Sequence, residues 1–138
     1  MPPRKRATGE ITTLQVPPFT EEQWTAFLDG CRLFNRGKYW HAHESWEAAW
    51  LPMGDDGEDD AEIFLRALIQ LASGLHLKRI GRYKGARSQF AKAESKFSVM
   101  PTFFMELDIA ALRVFAAHQL AHFSEDLVCL LRRRDAAS

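Results

Sequence analysis

The fold turns on residues 37–50, Gly37-Lys38-Tyr39-Trp40-His41-Ala42-His43-Glu44-Ser45-Trp46-Glu47-Ala48-Ala49-Trp50. Its skeleton, Gly37-Lys-Tyr39-x-x-Ala42-x-x-x-Trp46-x-x-Ala49, returns as Gly81-Arg-Tyr83-x-x-Ala86-x-x-x-Phe90-x-x-Ala93, an offset of 44 residues throughout (81 against 37). A glycine that ends one helix, a tyrosine that anchors the next, and alanines spaced around a large aromatic form the pattern of a close-packed helical hairpin. The repeat therefore predicts two hairpins resembling those of tetratricopeptide proteins, although the period is longer. Two copies are also fewer than the three such arrays usually need.

Reading outward, Thr20-Glu21-Glu22-Gln23 forms a capping-box signature, and Trp24, Phe27, Leu28, Cys31 and Phe34 follow at helical spacing. The second helix is expected over about 38–51, ending at Pro52. The acidic run Met53-Gly-Asp-Asp-Gly-Glu-Asp-Asp60 reads as a solvated connector, since its alternation does not match a calcium loop. A third helix over about 60–80 is apolar on nearly every side and should lie at the centre. A fourth spans about 82–99 before Pro101, and a fifth about 108–133. No segment argues for a sheet. The expected fold is all-α, a multihelical bundle of about five helices over residues 19–134. Residues 1–18, with Arg4, Lys5, Arg6 and four of the six prolines, are expected to be a flexible basic tail.

Composition narrows the function classes. The 18 Lys+Arg balance the 18 Asp+Glu, so no net charge draws the chain to nucleic acid or to a membrane surface. No apolar run reaches the ~18–20 residues needed to span a bilayer, and the basic start lacks the apolar core of a secretion signal. With only Cys31 and Cys129, a disulfide framework is excluded and a reducing cytoplasm is the expected setting.

On a helical wheel of ~100° per residue, His43 and Glu47 fall among Tyr39, Trp40, Trp46 and Trp50, with Glu44 at the boundary. An ionisable pair inside an aromatic stripe must find partners or pay heavily for lost water. The facing strip on helix three is expected to be Arg66, Gln70, Ser73 and Gly74. In this reading Gly74 permits close approach, and Arg66 or Gln70 bonds to His43 or Glu47. Two outcomes stay open: a buried network that fixes register, or a ligand or metal pocket between helices two and three.

Metal-binding patterns are weak. His43-Glu44-x-x-Glu47 looks like a zinc-protease helix whose second histidine is replaced, and no third ligand is evident. His118 and His122, with Glu125 and Cys129 along the same stripe, have chelating spacing, but Gln119 stands where a protease would need its basic glutamate. Arg132, Arg133 and Arg134 suit a helix C-terminus. No phosphate loop or nucleophile elbow occurs.

The run Phe34-Asn35-x-Gly37-x-Tyr39-Trp40-x-Ala42-His43-Glu44-x-Trp46-Glu47-x-x-Trp50 resembles the motif of the bacterial and archaeal domain of unknown function family 309. So do Leu68-Ile69-Gln70-x-Ala72, Gly81-x-x-x-Gly85-Ala86 and Leu107-Asp108-Ile109. The resemblance, over about residues 30–112, implies a small multihelical cytoplasmic protein with no established activity. Its signature positions would be His43, Glu44, Trp46, Glu47, Trp50 and Gln70. Taken together, the sequence predicts a non-enzymatic module that binds a small molecule or peptide through His43, Glu44, Trp46, Glu47, Trp50, Arg66 and Gln70. It names no cofactor. The alternatives are a metal-assisted hydrolase using His43, Glu44 and Glu47, and a purely structural homo-oligomeric subunit.

Overall fold

The computed structural model describes residues 19–51 and 60–121. Five helices follow in order: α1 (Glu21–Asn35), α2 (Tyr39–Trp50), α3 (Asp60–Arg79), α4 (Tyr83–Phe97) and α5 (Ile109–Ala121). Each packs mainly on its neighbours in sequence, so α1–α2 and α3–α4 are antiparallel hairpins laid side by side, with α5 against α4. The all-α bundle expected from the sequence is the fold observed. Among the described residues no helix is long and apolar enough to cross a membrane.

Thr20 caps α1 as its sequence predicts. Its hydroxyl accepts from the Gln23 amide at 3.1 Å, and the Gln23 side chain accepts the Thr20 amide at 2.9 Å. The two hairpin turns are the same bond for bond. Gly37 and Gly81 adopt φ of 75° and 82°, the left-handed conformation that ends a helix without a Cβ penalty. Lys38 N–H donates to Leu33 O at 2.9 Å and Arg82 N–H to Leu77 O at 2.8 Å, while Gly37 and Gly81 donate to Phe34 O and Lys78 O. Every partner is shifted by 44 residues, and these 6→1 and 5→2 bonds close both helices as Schellman motifs.

The repeat extends further than the sequence pattern disclosed. A Cβ built on Gly30 would lie 2.4 Å from the Trp46 indole, and one on Gly74 would lie 2.7 Å from the Phe90 ring. These glycines are also 44 residues apart. In each hairpin the aromatic of the second helix therefore rests on bare backbone of the first. Trp46 and Phe90 are wholly buried, as are the flanking Ala42, Ala49, Ala86 and Ala93. Gly74 thus faces α4, not α2 as the sequence suggested. The tyrosines diverge as well. Tyr39 is buried edge-on to Phe34 beneath the Arg79 guanidinium, whereas Tyr83 is 56% exposed. The position equivalent to Phe34 is Lys78, whose ammonium reaches Gln119 on α5 instead of covering a ring.

One element was not foreseen. Phe103–Phe104 (β1) and Leu107–Asp108 (β2) form a short antiparallel pair in which Phe103 faces Asp108 and Phe104 faces Leu107. Met105 and Glu106 turn the chain at φ of 50° and 65°, the backbone of a type I′ hairpin built without the usual Gly or Asn. Asp108 then caps α5, accepting from the Ala111 amide at 2.9 Å. Met100 and Met105 pack against the core, as expected for filler residues. The basic tail of residues 1–18 and the extension of helix five to 133 lie outside the described residues.

Gly30→Ala and Gly74→Ala should each overpack a hairpin and destabilise the protein by about 1–3 kcal/mol, read as a lower urea midpoint at unchanged m. If both midpoints stay within error, the ring-on-glycine contact does not set the hairpin spacing.

Candidate functional site

Along α2 the side chains divide three ways. Trp46 points towards α1, where its Nε1–H donates to Phe27 O at 3.0 Å and its ring packs on Phe34. It belongs to the hairpin core and does not wall a pocket. Glu44 faces outward and pairs with His41 at 3.3 Å, both well exposed. His43, Glu47 and Trp50 lie on the remaining side with Trp40. Glu47 Oε1 is 2.6 Å from His43 Nε2, one turn earlier. The His43 side chain is 15% exposed and that of Glu47 is 38% exposed, so this couple sits at a rim. Its partner is internal to α2; neither Arg66 nor Gln70 bonds to it. With Nε2 donating to the carboxylate, Nδ1 is left as a buried acceptor with no hydrogen-bond partner among the described residues. Trp40 stacks on His43 at 4.7 Å and lies 5.0 Å from His76 of α3, a half-exposed indole between two imidazoles.

The deepest charge is one the sequence reading passed over. Glu62, in the first turn of α3, is 1% exposed. Its Oε1 accepts the Trp50 Nε1–H at 3.0 Å and a short bond from Arg66 Nη2. Arg66 also lies over the Trp50 ring, 5.5 Å from its centroid. Beyond Arg66, Gln70 Oε1 accepts from Lys96 Nζ of α4 at 2.8 Å. Glu62, Arg66 and Gln70 are successive turns of one helix, and they bind Trp50 on the α2 side and Lys96 on the α4 side. This polar seam joins the two hairpins. At Oε1 these two donors replace the lost water. The signal that could have found it was the spacing Glu62, Arg66, Gln70 at i, i+4, i+8 inside an otherwise apolar helix.

Lys96 carries the perturbed titration. Burial, with the Arg66 and Lys92 charges near it, lowers its ammonium from the ordinary 10.5 to about 8, against an opposing pull from Glu62.

Among the described residues no three His, Cys, Asp or Glu side chains converge as metal ligands. His118 is partly buried on α5, and the adjacent Gln119 is wholly buried. His122, Glu125, Cys129 and Arg132, Arg133 and Arg134 lie outside the described residues. Cys31 lies buried in the core.

Stacked hairpins joined by a charged seam define a small helical protein of a recognisable class. Residues 27–89 match the model of the domain of unknown function (DUF309), and over that stretch the chain is similar to this family. The match runs from α1 into α4, takes in the hairpin motif and Gln70, and stops short of Leu107-Asp108-Ile109 and Lys96. No curated protein matches the chain.

Two outcomes test the seam. Glu62→Ala should cost about 3 kcal/mol, because it strips the buried partner from Arg66 and Trp50. Glu44→Ala should change stability by less than about 0.5 kcal/mol. For Lys96, the unfolded chain keeps a proton between pH 8 and 10.5 that the native state has shed. Its contribution to stability therefore rises with pH across that window. Unfolding curves should show wild type gaining on Lys96→Met from pH 8 to 10.5; a constant difference would mean that Lys96 titrates normally.

Proposed function

We propose that this protein is a non-enzymatic binding module that takes a small polar ligand, or a peptide end, at the seam between α2, α3 and α4. The observation that carries this reading is the polar run Glu62, Arg66, Gln70 and Lys96, which has the Trp50 indole against Glu62 and Arg66 at one end and a partly desolvated ammonium at the other. A network that served register alone would be more stable with its surplus charge removed. Retaining a half-buried cation beside an aromatic wall suits recognition, where ring area supplies contact and charge supplies orientation. His43, Glu47 and the exposed Trp40 extend the same face along α2 and α3. A cytoplasmic setting and the likeness of the hairpins to tetratricopeptide units are part of this reading.

A second reading rests on the 2.6 Å His43–Glu47 couple, since a carboxylate that orients an imidazole is the geometry of a general base. The binding reading is favoured because Nδ1, the nitrogen that would have to take a proton, is shielded from solvent.

The test is a screen of small metabolites and short peptides against the full chain, following the Trp40 and Trp50 indole N–H resonances. Ligands that shift Trp50 should bind at least about tenfold more weakly to Arg66→Met, a loss of ~1.4 kcal/mol. Glu47→Gln should alter stability by no more than about 1 kcal/mol, as expected of a rim pair. A screen that leaves both indoles unmoved would defeat the proposal.

A further inference from the structure

We infer that the Arg66–Gln70–Lys96 end of the seam seats a small oxyanion, a carboxylate or phosphate group carried by the ligand; this rests on the binding role proposed above. The charges facing Lys96 are Arg66 and Glu62 from α3 and Lys92 from its own helix. Among the described residues, three cations thus meet one carboxylate. One oxygen of that carboxylate is already engaged, since Glu62 Oε1 takes both the Trp50 indole and Arg66, and the other, Oε2, is buried away from solvent. Glu94, also on α4, is engaged with Arg113 of α5 at 3.2 Å.

Donors are also in surplus. Among the described residues the Lys96 ammonium makes a single hydrogen bond, to the neutral Gln70 oxygen, and has two further N–H groups. Arg66 gives one Nη to Glu62, and its fork has four further N–H groups. Both side chains are partly open to solvent, so these donors can be reached without unfolding. A cationic ligand would deepen the repulsion, and a neutral one would leave it unrelieved. An oxyanion between Arg66 and Lys96 answers the excess of charge and of donors together.

Ligation of this kind favours charged Lys96, so affinity must depend on its protonation. Inorganic phosphate and acetate are titrated separately into the full chain, following the Trp50 indole resonance at pH values from 6 to 10. Saturable shifts are expected with at least one anion, weakened tenfold or more in Lys96→Met and in Arg66→Met. Arg113→Gln, which removes a cation paired with Glu94, should bind as wild type does. Affinity should fall about tenfold per pH unit above about 8 in wild type, beyond any change in the anion itself, and this dependence should vanish in Lys96→Arg. Phosphate and acetate arms that differ identify which group the site prefers. If neither anion moves Trp50 while neutral or cationic fragments do so saturably, the oxyanion inference is overturned and the binding role stands. If no probe moves it, both fall. Binding that appears only after Asp55, Asp56, Glu58 and Asp59 are neutralised would also overturn the inference, because the chain's own carboxylates would then be the occupants.

Discussion

Everything in the bundle is referred to one contact made twice: a flat aromatic ring lying on a glycine of the preceding helix. Trp46 covers Gly30 and Phe90 covers Gly74, each at a distance that would exclude even a methyl group. Such an approach sets the spacing of the two helices and leaves only small residues beside the ring, hence the wholly buried alanines at 42, 49, 86 and 93. Matching turns at Gly37 and Gly81 fix the direction of return. Two nearly equivalent hairpins result, and their union depends on how α3 of the second meets α2 of the first.

That union is partly ionic. Most of the α2–α3–α4 core is aliphatic and aromatic, but the seam carries Glu62, Arg66, Gln70 and Lys96. Buried charge is a poor source of net stability, because desolvation consumes much of what the pairing returns. Its value lies in direction. The hydrogen bond from Trp50 to Glu62, with Arg66 lying over the Trp50 ring, specifies how the hairpins register against each other, as apolar contact alone would not. At the α4 end, among the described residues, the seam carries more cations than carboxylates.

The His43–Glu47 couple stands in a different relation to the core. Its members satisfy one another within a single helix at the solvent boundary, with Trp40 and His76 stacked alongside. Along α2, Trp40 is half-exposed beside His76, while Trp50 lies against the buried Glu62.

What the amino-acid order determined by itself was local and periodic. The helices, the Thr20 cap, the two glycine stops and the 44-residue recurrence all follow from backbone sterics and side-chain spacing, which act within a few residues. Arg66 and Gln70 stood out as polar positions on an otherwise apolar helix for the same reason. The placement of Trp46 against α1, of Gly74 against Phe90, and of Glu47 at a rim was not, since a helical wheel gives a side chain's angle but not its neighbour. Glu62 and Lys96 escaped notice because their meaning lies in a partner on another helix, 12 residues from Trp50 in one case and 26 from Gln70 in the other. Only the tertiary structure decides such pairings, because the energy of a buried charge is set by the groups that surround it in space.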